Sequence, residues 1–180
     1  MHSFFYHFPP AGGKCSVTAT SVIGHLLSTD FDEDDASVTG HDPATLYGSR
    51  TRKIAESSTK KYQLDEHLVR AAREADYLFL WLDCDREGEN ICFEVLTILR
   101  ANGLFLDEAR VHRAKFSAVA EADVKQAFAR PGRLNGHESQ AVDARQELDL
   151  KIGCSFTRFL TRKFLDGARA TFRDPALHVL

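Results

Sequence analysis

Four carboxylates lie within seven residues of one another, directly after a run of six large apolar residues. Asp83, Asp85, Glu87 and Glu89 follow the segment 77–82, whose sequence is Tyr-Leu-Phe-Leu-Trp-Leu. An apolar run of this length with helical segments on either side predicts a buried strand of a mainly parallel sheet. Ligand sites of open α/β sheets lie at the carboxyl ends of the strands, which is where these carboxylates are expected.

Carboxylates this close repel one another unless a cation neutralises them. Oxygen ligands suit Mg²⁺, which takes one or two carboxylates and leaves its other positions to water and phosphate oxygens. The alternative is a solvated acidic turn that caps the next helix, because Asp and Glu are favoured in a first helical turn. Gly88 favours the site, since glycine in a helix costs about 1 kcal/mol and indicates close backbone approach. A magnesium–phosphate site is therefore the preferred prediction.

The sequence of the rest of the chain predicts strands and helices that would position the carboxylates of residues 83–89. With 180 residues and 43% hydrophobic composition, the chain can form one α/β domain plus a helical extension. Residues 16–22 and 109–116 are predicted strands, and helices are predicted over 65–75 and from about 87 to 100. The residues before the first strand are interpreted as an irregular lead-in or a hairpin. This alternation of strands and helices predicts right-handed α/β crossovers.

The charge is divided between the two parts of the chain. Residues 1–108 carry 10 Lys and Arg against 18 Asp and Glu, whereas residues 109–173 carry 13 against 7. An acidic half and a basic half suit an enzyme that acts on a polyanion, with metal on one half and phosphates on the other. Four cysteines without C-x-x-C spacing argue against zinc and a disulfide scaffold, and free thiols suit a reducing compartment. No apolar run is long enough to cross a membrane.

The last third is predicted to be helical, from about residue 137 to 165. Arg145 and Asp149 lie one turn apart, as do Glu147 and Lys151, so two intrahelical ion pairs are expected. A row of apolar residues at helical spacing predicts a core-facing stripe, formed by Leu148, Ile152, Phe156 and Phe159.

Residues 82–91, Leu-Asp-Cys-Asp-Arg-Glu-Gly-Glu-Asn-Ile, resemble the acidic motif of the TOPRIM domain in type IA DNA topoisomerases. Residues 141–153 resemble the topoisomerase III branch of that family, and residues 20–27 resemble the loop after an earlier TOPRIM strand. The segment 113–117, Arg-Ala-Lys-Phe-Ser, lies between the blocks 82–91 and 141–153. The blocks follow the family's order, cover about residues 16–165, and are most similar to the eukaryotic beta type.

The resemblance implies a domain organisation. Residues 1–116 would be a Rossmann-like, parallel-rich TOPRIM domain that lacks its first strand. Residues 117–170 would begin a helical DNA-binding domain, and residues 171–180 would be a truncated tail. We expect the chain to be a fragment or a truncated gene model.

The resemblance also implies an activity: ATP-independent breakage, passage and rejoining of single-stranded DNA, an isomerase reaction. Mg²⁺, or Mn²⁺ in its place, would be held by Asp83, Asp85 and Glu87. The family implies a nuclear protein that acts with a helicase and with an OB-fold or Tudor-type partner, on DNA or RNA.

The implied nucleic-acid contacts are His25, Arg113, Arg145, Asp149, Lys151 and Arg158, and Gly153 would let the strand approach the helix closely. Three of these residues have a structural alternative. His25 could be a structural or surface histidine, Arg113 could belong to a charged edge strand, and Arg145 could simply pair within its helix.

The family's nucleophile is a tyrosine in a Ser-Tyr-Pro-Arg-like context, which none of Tyr6, Tyr47, Tyr62 and Tyr77 has. We therefore expect this chain to be inactive alone. The alternatives are a non-catalytic module that binds single-stranded DNA or RNA, or another TOPRIM protein such as a primase or nuclease. A phosphatase would need a threonine-like residue soon after Asp85, and the sequence does not supply one.

Overall fold

The computed structural model describes residues 2–8, 12–35 and 42–172. The described residues form six strands and five α-helices in mixed order, so the predicted α/β class is confirmed. The strands are β1 (His2–Phe8), β2 (Gly13–Ala19), β3 (Leu27–Phe31), β4 (Thr51–Ala55), β5 (Leu78–Leu80) and β6 (Val111–Arg113). The helices are α1 (Ser57–Tyr62), α2 (Leu64–Ala72), α3 (Arg86–Ala101), α4 (Glu121–Ala129) and α5 (Gly136–Phe172).

The amino-terminal strands form an antiparallel hairpin, the second of the two alternatives that the sequence left open. His2 lies opposite Ala19 and Phe8 lies opposite Gly13. Gly12, in the connection, has a φ of 78°, which glycine adopts without steric cost. β3 and β4 form a second two-stranded sheet. β4 and α1 fall in a stretch that has no clear hydrophobic period.

β5 and β6 are parallel, with Leu78 opposite Val111 and Leu80 opposite Arg113. The parallel pair is confirmed, but each strand has three residues where a longer strand was predicted. Among the described residues the sheet has only these two strands, so it is smaller than the mainly parallel sheet expected. The carbonyl of Leu80 still accepts the backbone N–H of Ala114 at 3.0 Å, and beyond it the side chain of Arg113 donates to the carbonyl of Leu82 at 2.9 Å.

α3 follows β5 and carries the clearest sequence signals of any helix. It begins after Asp85, has Glu87 and Glu89 in its first turn and Arg100 in its last, and ends at Ala101, with Asn102 as its carboxyl-terminal cap. These charges complement the helix dipole. Its buried face packs into the main core, in which the most buried apolar residues are Leu26, Leu80, Cys92, Val95, Leu96 and Leu99.

The described residues fall into two compact units. One is formed by those within 1–28 and 55–143, and the other by those within 29–54 and 144–180. The predicted division near residue 116 stays a prediction. The predicted tail, residues 171–180, lies outside the described residues from position 173 onward.

The prediction that the apolar row of α5 faces a core is wrong. Leu148 is 58% exposed and Phe156 is 57% exposed, and Ile152 and Phe159 are also exposed. In the described part of its own unit, Gln146 of α5 accepts hydrogen bonds from Thr29 Oγ1 of β3 at 3.4 Å and from Lys53 Nζ of β4 at 2.8 Å. Those contacts do not cover the apolar row.

Candidate functional site

The acidic turn, residues 83–87, connects β5 to α3. Asp83 and Asp85 are exposed, and the side chain of Glu87 is 43% exposed. Asp85 has extended backbone and caps α3, because its Oδ1 accepts the backbone N–H of Gly88 at 2.7 Å. The capping role that the sequence offered as an alternative is therefore real for Asp85. It uses one carboxylate oxygen and leaves the other for a second ligand.

Gly88 is buried where the helix start meets the end of the strand. A Cβ atom at this position would lie 2.2 Å from the carbonyl oxygen of Asp83, a separation that real Cβ atoms do not adopt. The close backbone approach inferred from the sequence is therefore present. Only glycine lets the acidic turn fold back this tightly onto α3.

Arg113 is fully buried beneath the acidic turn. Its Nε donates to Glu89 Oε2 at 2.9 Å, and this ion pair is shielded from solvent on both sides. Its other donors reach four backbone carbonyls, those of Leu80 at 3.2 Å, Leu82 at 2.9 Å, Asp83 at 2.6 Å and Ala114 at 3.0 Å. The predicted nucleic-acid contact at Arg113 is wrong, because a buried guanidinium whose donors are already used cannot reach a phosphate.

His25 lies between two carboxylates of α3. Its Nδ1 is 2.9 Å from Glu94 Oε1, and its Nε2 is 3.1 Å from Glu87 Oε2. Glu94 is buried, and its second oxygen accepts the backbone N–H groups of Leu26 at 2.8 Å and Leu27 at 3.3 Å. The structure thus brings His25 to the acidic turn through Glu87. Its contact with a phosphate stays a prediction.

Sequence reasoning missed the polar contacts at the start of α3. Asn90 Nδ2 lies 3.0 Å from Ser139 Oγ and 2.9 Å from Asp143 Oδ1, both on α5. Glu89 Oε1 accepts the backbone N–H of Asn135 at 2.5 Å. The available signal was that Glu89 and Asn90 are polar residues at positions where the helical period predicts burial. Buried polar groups need hydrogen-bond partners, so such contacts could have been expected.

The donor set of the acidic turn suits a hydrated magnesium ion. Among the described residues, no three His, Cys, Asp or Glu side chains converge as a ready-made metal cage. Mg²⁺ does not require one, since it binds one or two carboxylates and keeps several waters. The exposed carboxylates of Asp83 and Asp85 meet that requirement, and Glu87 is next to them.

The remaining predicted nucleic-acid contacts lie on α5 in the other compact unit. Arg145 Nη1 is 3.2 Å from Asp149 Oδ2, with both side chains more than half exposed. Lys151 Nζ is 2.6 Å from Glu147 Oε1, so both predicted intrahelical pairs are present. Arg158 is half-buried. The contacts of these residues with nucleic acid stay predictions.

All four cysteines are free thiols. Cys84, inside the acidic turn, donates through Sγ to the carbonyl of Phe116 at 2.7 Å and accepts that residue's N–H at 3.0 Å. Burial raises the pKa of Cys92 to about 12, which keeps this thiol protonated in the core. Neither thiol takes part in a disulfide.

Comparison with known proteins finds DNA topoisomerases that are similar to most of this chain. The chain is 45% identical to DNA topoisomerase 3-beta of Drosophila melanogaster over 156 residues, 86% of this chain and 18% of that protein. It is 42% identical to human DNA topoisomerase 3-beta-1 over 159 residues, 86% of this chain and 18% of the relative. It is 36% identical to DNA topoisomerase 3 of Saccharomyces cerevisiae over 179 residues, 97% of this chain and 27% of the relative.

The chain thus spans less than a fifth of the length of the topoisomerase 3-beta proteins that it matches. In the part of the chain that the structure describes, no helix is both long and apolar enough to cross a membrane. The similarity to the topoisomerase III branch that the sequence motifs indicated is confirmed. The Toprim domain model matches residues 10–119, more than half of the chain, and the chain therefore belongs to the Toprim domain family.

Proposed function

We propose that this chain is the metal-binding and part of the DNA-binding region of a type IA DNA topoisomerase of the topoisomerase III branch. The observation that carries the proposal is the acidic turn, in which two exposed aspartates are fixed at the end of a parallel strand. That turn lies within a chain that is 45% identical to a DNA topoisomerase 3-beta. The whole enzyme would break, pass and rejoin one DNA strand without ATP.

Asp83 and Asp85, with Glu87, would hold Mg²⁺ or Mn²⁺. When bound, the ion would neutralise charge on the scissile phosphate and help to orient it. Glu94 holds His25 through Nδ1, and if Glu87 turned to the ion, Nε2 would be available to donate a hydrogen bond to a phosphate of the same strand. A magnesium ion with few protein ligands leaves positions for phosphate oxygens, so DNA and metal should strengthen each other's binding.

Arg145, Asp149, Lys151 and Arg158 would line a groove for single-stranded DNA on α5. Residues 150–165 contain four Lys and Arg and no Asp or Glu, so this part of the helix is strongly basic. Contacts with phosphates position a strand without reading its sequence, which suits an enzyme that acts on many sites. Single-stranded RNA has the same backbone charge and would bind as well.

A non-catalytic nucleic-acid-binding role is the second candidate for this chain by itself. None of its four tyrosines has the Ser-Tyr-Pro-Arg-like context that the resemblance requires. Without that nucleophile there is no covalent phosphotyrosyl step, and neither metal nor basic residues can replace it. We propose that the isolated chain binds single strands and does not relax DNA. We further propose a nuclear location, and a helicase and an OB-fold or Tudor-type protein as partners of the whole enzyme.

Fluorescence anisotropy with a labelled single-stranded oligonucleotide tests the binding role. The logarithm of the affinity should fall linearly with the logarithm of salt concentration, because each phosphate contact releases counterions. Arg145→Ala and Arg158→Ala should each weaken binding by about 1 kcal/mol and flatten the salt dependence. Lys60→Ala removes the same charge from an exposed position of the other unit and is the control.

Salt-independent binding, or equal effects of all three substitutions, would contradict the groove. Incubation of the chain with negatively supercoiled plasmid and Mg²⁺ should give no relaxed product. A covalent DNA adduct on any of the four tyrosines would contradict the non-catalytic role of the isolated chain.

A further inference from the structure

Arg113 occupies a place where a strand residue would ordinarily be apolar. It ends β6 opposite Leu80 of β5, and its side chain runs under the acidic turn with no exposed surface. Burial of a guanidinium is costly unless it is paired and its donors are used. Glu89 supplies the charge partner, and backbone carbonyls take the remaining donors.

The carbonyls that Arg113 binds belong largely to the chain segment that leads into the acidic turn. Beyond Leu80 this segment has left the β ladder, so the guanidinium replaces the neighbouring strand as hydrogen-bond donor for Leu82 and Asp83. The carbonyl of Asp83 is therefore restrained on two sides. Arg113 Nη2 donates to it at 2.6 Å. On the other side, the backbone of α3 lies close against it at Gly88, where there is no side chain to keep the two apart.

Glu89 extends the same restraint to α5. One of its oxygens pairs with Arg113, and the other accepts the backbone N–H of Asn135, immediately before α5. A single buried carboxylate thus links the strand end, the first turn of α3 and the start of α5. All of these residues lie within one compact unit.

We propose that Arg113 and Glu89 are positioning residues that hold the backbone of the acidic turn in the conformation required to bind a divalent cation. The identity of the ligand, a divalent cation, rests on the proposed function. The restraint of the turn rests on the hydrogen bonds of Arg113 and Glu89. Neither side chain would touch the ion. Both would act through the Asp83 carbonyl and the first turn of α3, as the outer hydrogen-bonding groups of metal sites do.

Arg113→Lys separates geometry from charge. Lysine keeps the positive charge opposite Glu89, but its ammonium is a single point with three donors and cannot reproduce a planar fork that reaches five acceptors. Glu89→Gln keeps the shape of the acceptor and removes its charge. Leu99→Ala is the matched control, because Leu99 is buried in the same core at the far end of α3.

The first measurement is amide hydrogen exchange on the metal-free chain, followed residue by residue by NMR. Arg113→Lys should accelerate exchange in residues 83–88 on the order of tenfold relative to amides in the second half of α3. Leu99→Ala should accelerate exchange in the core without raising that ratio. If Arg113→Lys does not fold, Glu89→Gln should show the same local acceleration. An unchanged ratio in the folded variants would overturn the positioning role.

The second measurement is Mn²⁺ affinity, read from the fluorescence of Trp81, the only tryptophan in the chain. Arg113→Lys should weaken binding about tenfold or more, and Leu99→Ala should leave the affinity of the folded protein unchanged. Binding by wild type that Arg113→Lys does not alter would overturn the inference. Absence of binding by wild type would overturn the proposed metal site instead, and hydrogen exchange would still decide whether Arg113 fixes the turn.

Discussion

His25 Nδ1 lies 2.9 Å from Glu94 Oε1, while Glu94 Oε2 accepts the backbone N–H of Leu26 at 2.8 Å. One buried carboxylate therefore fixes both the backbone of the loop and the ring of the histidine that it carries. The other ring nitrogen faces Glu87 in the acidic turn. His25 thus contacts Glu87 and Glu94, which lie 62 and 69 positions further along the sequence.

Glu94→Ala should destabilise the protein by about 1–3 kcal/mol, because it leaves the buried N–H of Leu26 and the partly buried N–H of Leu27 without their acceptor. Urea unfolding followed by circular dichroism measures the change. Glu74 is exposed, and Glu74→Ala should change the free energy of unfolding by less than about 0.5 kcal/mol. Equal losses in the two variants would show that Glu94 does not support the loop.

Gly88→Ala should destabilise the protein by about 1–3 kcal/mol, because the added Cβ meets the backbone of Asp83 and not a flexible side chain. Gly153 lies inside α5, and apart from the helix's own backbone a Cβ atom there would have no heavy atom within 4 Å. Gly153→Ala should therefore stabilise the protein by about 0.5–1 kcal/mol. Thermal unfolding compares the two, and a neutral Gly88→Ala would contradict the tight turn.

Gly153→Ala also tests the proposed groove on α5. If a nucleic-acid strand approaches the helix closely at this position, the added methyl group should weaken single-strand binding although the protein becomes more stable. Anisotropy titration at fixed salt measures the affinity. Unchanged affinity would mean that the strand does not approach α5 at Gly153.

Burial lowers the pKa of His112 from its ordinary value. The ring lies beside Phe79, with centroids 4.9 Å apart, and beside Tyr77 at 5.8 Å. Because the unfolded chain takes up a proton at higher pH than the folded protein does, stability should fall as pH drops below about 6.5. His112→Phe keeps an aromatic ring and removes the titration, so its unfolding free energy should change less between pH 7.5 and pH 5. Identical pH dependence in both proteins would contradict this assignment.

The acidic turn was predictable because its signals are local: an apolar strand, close-set carboxylates and a glycine that is needed only where backbones touch. The role of Arg113 was not predictable from its neighbours. A charged residue in a short strand suggests an exposed edge, and burial is expected only when Glu89, distant in sequence, is known to lie opposite. The prediction that the apolar row on α5 faces a core was wrong for a related reason. Helical spacing identifies residues that share a face, but it does not say what covers that face.

Divalent-cation binding at Asp83 and Asp85 is the property on which the proposed function depends most directly. Mn²⁺ titration, followed by the loss of the free ion's electron paramagnetic resonance signal, should reveal weak, saturable binding that Mg²⁺ displaces. The double variant Asp83→Asn/Asp85→Asn should abolish that binding. Asp65→Asn/Glu66→Gln removes the same charge from exposed positions at the start of α2 and should bind like wild type. Equal affinity of wild type and Asp83→Asn/Asp85→Asn would contradict the metal site.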